Sequence, residues 1–225
     1  MQNQTKRLFD TKKIAVAAML CALAYLAIFV FRFKVSFLTF DFKDAIIAIS
    51  SLINGPIVGI ISAFVVALLE MITVSDTGIY GFIMNFLSTG TFALAVGVIY
   101  KYRRSFSGAL IAAVTAVFSV TAVMLLANLF ITPHFMGTDM SAVVDMLAKT
   151  LLPFNLSKAL MNASLMLLLY KPLITALRRA RLIHSSGKEF KFGFRTVLLV
   201  VGAVLTIVLT TLFIILYMEG TFKLI

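Results

Sequence analysis

LLPFNLSKALMNASLMLLLYK, Leu151 to Lys171, is long enough to cross a bilayer as a helix, yet its first half carries three strongly polar side chains. Asn155, Lys158 and Asn162 follow one another at helical spacing, so a helix gathers them on one face among Leu, Met, Ala and Phe. A lysine near the middle of a span costs about 2.5–3.5 kcal/mol on insertion scales, so it requires a counter-charge, a watery cavity or a ligand. The stretch reads as one wall of a polar pocket sunk into a membrane.

Composition agrees with that reading. Of 225 residues, 61% are hydrophobic and only 13% charged, and the mean hydropathy is +1.06. Such values exclude a water-soluble globular domain and describe a helical membrane protein. The lone Cys21 and the isolated His134 and His184 provide neither a disulfide framework nor a metal cluster. A net charge of +11 would suit a nucleic-acid binder, but the basic residues sit in short loops between apolar runs, where they set membrane orientation; no nucleic-acid partner is expected.

Working outward, the chain divides into a basic N-terminus at 1–13, a six-helix substrate-binding membrane domain at 14–177, a basic linker at 178–195, and an additional helix and tail at 196–225. The first span is Ile14 to Phe31, with Ala15, Ala18 and Ala22 on one face. Small residues at this spacing let another helix approach closely in lipid, either within the chain or from a partner. Arg32 to Asp44 alternates charges with phenylalanines and is expected to be a folded surface loop or lid. Ala45 to Ile53, stopped by Asn54-Gly55-Pro56, makes a short second span. Ile57 to Val74 is the third, Gly81 to Tyr100 the fourth, and Ser107 to Ile131 the fifth. Thr132 to Asp145 is expected to be a loop before the sixth span, and Thr196 to Tyr217 is a seventh.

With the N-terminus in the cytoplasm, fourteen basic residues fall inside and five outside, a clear positive-inside bias for a multi-pass plasma-membrane protein. Glu70, Asn85, Asn128, Asn155 and Lys158 then lie toward the outer surface. Polar groups gathered at one depth mark a substrate or ion site. Asparagines and a lysine walled by Phe, Leu and Met suit a flat, mostly apolar molecule with carbonyls and N–H groups at one edge. The alternative for Lys158 is a pair with Glu70 or Asp145 that holds helices together; for Asn162 it is a hydrogen bond between helices. Zinc-protease, serine-hydrolase and nucleotide-binding motifs are all missing from the sequence, so an enzyme is not expected.

Four segments resemble the substrate-binding S components of energy-coupling factor (ECF) vitamin transporters, and within them the riboflavin-specific RibU family. They are LLPFNLSKALMN (Leu151 to Asn162), ANLFITPHFMG (Ala127 to Gly137), TGIYGFIMNFLSTGTFALAVGVIYK (Thr77 to Lys101) and the Ala18-xxx-Ala22 pattern. The resemblance implies an all-α, polytopic six-helix bundle that captures riboflavin from outside, beneath the loop joining spans one and two. It implies a bilayer-embedded binding subunit without catalysis and without a cofactor, riboflavin being the transported ligand. A transmembrane T subunit and two ATP-binding subunits would supply the energy, with the face around Ala18 and Ala22 docking on the T subunit. By position, Asn128, Asn155 and Lys158 match residues that hold the flavin and ribityl groups, with Asn85 and Asp41 beside them. The seventh span departs from the six-helix pattern. FMN or another vitamin as ligand, and a stand-alone secondary carrier, are the competing readings; the carrier would be expected to show an internal repeat with broken helices at mid-membrane.

Overall fold

A computed structural model describes residues 11–30, 32–35, 37–182 and 194–217. The expectations for most of the N-terminal basic segment, for most of the 178–195 linker and for the C-terminal tail fall outside the described residues. The chain is an all-α bundle: α1 (Thr11–Val30), α2 (Lys43–Asn54), α3 (Pro56–Thr73), α4 (Gly78–Tyr102), α5 (Phe106–Met136), the short α6 (Met140–Met146), α7 (Leu152–Arg179) and α8 (Phe194–Tyr217). A hairpin of β1 (Phe33–Val35) and β2 (Leu38–Phe40) joins α1 to α2, its strands antiparallel with Phe33 opposite Phe40 and Lys34 opposite Thr39. α1, α3, α4, α5 and the continuous stretch Met140–Arg179 are long and apolar enough to cross a bilayer.

The second span is present as the short α2, which returns the chain from the hairpin to the opposite end of the bundle. α2 has 12 residues, about 18 Å at 1.5 Å per residue, well short of a roughly 30 Å hydrocarbon core. It is enclosed instead: every residue from Lys43 to Leu52 is buried. Its end is sharp because Gly55 adopts φ +100°, which a side chain would resist, and Pro56 then opens α3 with its φ already set. α2 also approaches its neighbours through missing side chains. A Cβ on Gly59 of α3 or on Gly97 of α4 would lie 2.5 Å or less from side-chain atoms of Ser51, whose hydroxyl donates to the Ala93 carbonyl at 2.6 Å.

Around α2 the core is dense and small. Ala112, Ala113, Ala116 and Val117 of α5, Phe92 and Val96 of α4, and Ala159 and Ala163 of α7 pack on Ala45, Ala48 and Ile49. α1 buries Val16, Leu20, Ala24 and Ile28 at four-residue intervals, one stripe of a helix. Its opposite face, including Ala15, Ala18 and Ala22, is exposed.

The expected loop at 132–145 is largely helical. Pro133 lacks the N–H that would bond the Leu129 carbonyl, but so near the end of α5 the loss is local. The helix continues to Met136 and stops where Gly137 turns left-handed at φ +65°. α6 follows and runs through a π-helical turn, Leu147–Leu151, into α7. The seventh helix expected at 196–217 is present as α8, 24 residues long.

Candidate functional site

The hairpin and the neighbouring ends of α3, α4, α5 and α7 surround a cavity with about 770 Å³ of empty space, counting its open mouth. Eight of its twenty lining residues are apolar or aromatic, Phe37, Leu38, Tyr80, Met84, Met124, Ile131, Phe135 and Phe154, and they give most of its exposed surface. Between them project Asn85, Asn128, Asn155 and Lys158, four of the five residues that the sequence singles out for binding. They come from three helices and converge on one space.

Two of the asparagines are held by their own helices. Asn128 donates from Nδ2 to the Met124 carbonyl at 2.7 Å and accepts from the Thr132 hydroxyl at 2.8 Å. Asn155 donates to the Leu151 carbonyl at 2.8 Å. Each amide keeps a second N–H and an unused lone pair, so it is oriented in advance and still able to bond a ligand edge.

Asp41, the fifth singled-out residue, stands behind the wall. Its Oδ2 accepts from Lys158 Nζ and from Lys43 Nζ, both at 2.8 Å. Lys43 lies 3.0 Å from Glu70 Oε2 and donates to Asn85 Oδ1 at 3.3 Å. Arg32, also on the cavity wall, reaches the Val74 carbonyl at 3.2 Å, with its guanidinium 3.9 Å from Glu70. Asp44 completes the group and accepts from the hydroxyls of Ser88 and Thr89. Arg32, Lys43 and Lys158 therefore face Asp41, Asp44 and Glu70, all six of them buried and their formal charges in balance. Charges removed from water persist only when paired and hydrogen-bonded in this way.

Lys158 spends its second donor on the Thr39 carbonyl of the hairpin at 3.2 Å, leaving one of three ammonium protons for the cavity. Its counter-ion is thus neither Glu70 nor Asp145, the partners considered from sequence; Glu70 goes to Lys43 and Arg32, and Asp145 is exposed. Asn162 is structural. Its amide accepts from the Ala45 backbone N–H at 3.0 Å and donates to the Asp41 and Lys158 carbonyls at 3.0 and 3.1 Å. It caps the start of α2 and ties it to α7 instead of lining the cavity.

Sequence reasoning passed over Arg32, Lys43, Asp44 and Thr39. The available signal was the parity of charge: Glu70 and Lys158 inside spans demand counter-charges, and Asp41, Lys43 and Asp44 stand immediately before an apolar run. The structure also brings the hairpin to the end of α3. Lys34 bonds Asp76 across the edge of the cavity, and that hydrogen bond to the ammonium holds the Asp76 carboxyl below its ordinary range. Ala18 and Ala22 lie apart from this site, on the exposed face of α1.

Comparison with known proteins gives one consistent set of matches. A family model described as ECF transporter, substrate-specific component matches residues 12–174. The chain is 28% identical over 181 residues to the riboflavin transporter RibU of Staphylococcus aureus (strain TCH60), covering 76% of this chain and 94% of that protein. A solved structure, described as the structure and mechanism of the S component of a bacterial ECF transporter, superposes with a TM-score of 0.64 at 29% identity. It covers 75% of this chain and 98% of its own.

Proposed function

We propose that this chain, which belongs to the family of substrate-specific components of ECF transporters, binds riboflavin from outside the cell and delivers it to a T subunit and two ATP-hydrolysing subunits. ECF substrate-specific components are membrane transport subunits, not enzymes, and the site is read accordingly as a binding site. The observation that carries the choice of ligand is the convergence of Asn85, Asn128, Asn155 and the remaining Lys158 donor on one apolar-walled cavity. An isoalloxazine ring presents carbonyls and ring nitrogens at one edge and apolar faces elsewhere, which matches such a wall. The name of the Staphylococcus aureus relative supports the same ligand.

The N-terminus is assigned to the cytoplasm on the positive-inside bias, which puts the cavity on the outer side. The exposed alanine face of α1 is the surface offered to the T subunit, since Ala18 and Ala22 lack the bulk that would keep a second helix at a distance.

FMN is the second reading, and one observation favours it: Arg32 lines the cavity with a buried Nε that has no hydrogen-bond partner among the described residues. The neighbouring Glu70 offsets that charge, which favours the uncharged ribityl end of riboflavin. Titrating purified protein with riboflavin and FMN side by side, following the quenching of flavin fluorescence, separates the two. The expected result is yellow protein that prefers riboflavin, with Asn128→Ala weakening binding roughly tenfold or more, the loss of a desolvated hydrogen bond in an otherwise intact wall. Colourless protein without flavin affinity overturns the assignment.

A further inference from the structure

α8 lies beyond residue 174, where the family match ends, and the binding site described above makes no use of it. Its Leu209, Thr210 and Phe213 border a shallow apolar groove against the first turns of α7, so its C-terminal end is at the hairpin end of the bundle. Most of its apolar side chains there are exposed, Leu209 at 63%, Leu212 at 47% and Leu216 at 79%, as befits a helix bathed in lipid. Ile214 breaks the pattern at 1%. It is buried in one cluster with Phe40, Phe154 and Met161, and Leu38 and Phe42 pack against that cluster.

This cluster touches the site from behind. Phe40 is the fully buried end of strand β2, and its ring meets that of Phe154 edge-on with centroids 4.6 Å apart. Phe154 and Leu38 line the cavity on their other sides. The hairpin has only three residues per strand, and an isolated two-stranded hairpin is marginal at best. Its position therefore depends on what its side chains and backbone grip. On the polar side these are Lys158 at the Thr39 carbonyl and Asp76 at Lys34; on the apolar side it is the cluster that Ile214 closes.

We infer that α8 is a brace for the hairpin, with Ile214 as a positioning residue: by closing the pocket around Phe40 it holds β2 against the cavity and slows the release of bound ligand. Ligand leaves when the hairpin is displaced, so a residue that stabilises only the seated hairpin lowers the open population and with it the dissociation rate.

The test uses the full-length chain in lipid nanodiscs and three substitutions, Ile214→Ala, Ile214→Leu as the volume-conserving rescue, and Leu209→Ala as a control on the same helix but outside the cluster. The first readout needs no ligand: backbone hydrogen exchange in residues 33–40 is expected to accelerate about tenfold in Ile214→Ala and to match wild type in the other two. In the second, which rests on the riboflavin reading, dissociation followed by fluorescence recovery is expected to accelerate about tenfold in Ile214→Ala, and association, which passes through the same opening, to accelerate with it. Wild-type hairpin exchange in Ile214→Ala overturns the brace, as does exchange that rises equally throughout α7 and α8, which marks Ile214 as mere helix packing. If the wild-type protein binds no riboflavin, the ligand assignment fails while the exchange result still decides the brace.

Discussion

At the hairpin end of the bundle, three cations and three anions are buried between the hairpin, α2, α3, α4 and α7; deeper in, α2, α3 and α4 meet through serine, alanine and glycine. Both regions are tightly specified, but by different forces. At the polar end each charge is tolerable only while its partners remain, so position is enforced by the penalty for separation. In the small-residue region, lipid tails are as apolar as the side chains and association relies on close van der Waals contact. Position there is enforced by the absence of room. Polar specification suits a site that must present hydrogen-bonding groups to a ligand, and steric specification suits the rigid floor beneath it.

The sharpest way to break this contrast is to remove one charge without changing shape. Asp41→Asn takes the shared counter-charge from two ammonium groups at once, leaving Lys158 with no anion within ion-pair distance among the described residues and Lys43 with Glu70. Uncompensated buried charge typically costs about 3–5 kcal/mol. Thermal unfolding in detergent is expected to reveal a loss of that size, together with weakened flavin binding, because Lys158 then lacks the anion that fixes its ammonium. A variant that unfolds like wild type would mean that water already reaches the cluster.

The steric half is tested on a single helix. Gly97→Ala would set its Cβ 2.2 Å from Ser51 Oγ and 2.8 Å from the Pro56 Cα, a backbone atom that cannot swing aside. A destabilisation of about 1–3 kcal/mol follows from such overpacking. Gly90→Ala, seven residues earlier, meets nothing closer than a Phe86 ring carbon at 3.7 Å and gains the better helix propensity of alanine, up to about 1 kcal/mol. Opposite signs for the two substitutions in the same unfolding assay support the contrast; equal effects remove it.

The same contrast explains what could be read from sequence. Asn155 and Lys158 were legible because a helical face is a local property, and so was the bundle, because hydropathy is local too. Asn162 shares their face but lies farther along α7, where the start of α2 and not the cavity is its neighbour, and only the packing of α2 decides that. The roles of Arg32, Lys43 and Asp44 were hidden for the same reason. In sequence they are charges of a loop and its flank; their burial depends on Glu70, Ser88, Thr89 and Lys158 arriving from three other helices. The short α2 was legible as a second crossing but not as an enclosed one, because a run of apolar residues looks alike whether lipid or protein surrounds it. α8 was visible as a helix, but its contact with Phe40 was not, since no periodicity records which side chain of a lipid-facing helix turns inward.

The smallest effect belongs to the pair that resembles the buried cluster but lies in water. Lys34 and Asp76 tie β1 to the α3–α4 connection with side chains 34% and 60% exposed, and exposed ion pairs contribute only about 0.2–1 kcal/mol. The Asp76 carboxyl is lowered by its hydrogen bond to Lys34, so the stabilisation it provides is fully present above the ordinary Asp value, about 3.9. It is lost as pH falls through the lower folded value. Hairpin hydrogen exchange, corrected for the intrinsic pH dependence of the chemistry, is therefore expected to be level from neutral pH to about 5 and to rise only on stronger acidification. Asp76→Asn should show the faster exchange at neutral pH, lose that acid-dependent part and so converge with wild type in acid, and high salt should shrink the neutral-pH difference because both charges are screened. A loss as large as that from Asp41→Asn would contradict the distinction drawn here, since it would mean that a pair open to solvent holds the hairpin as firmly as one sealed from it.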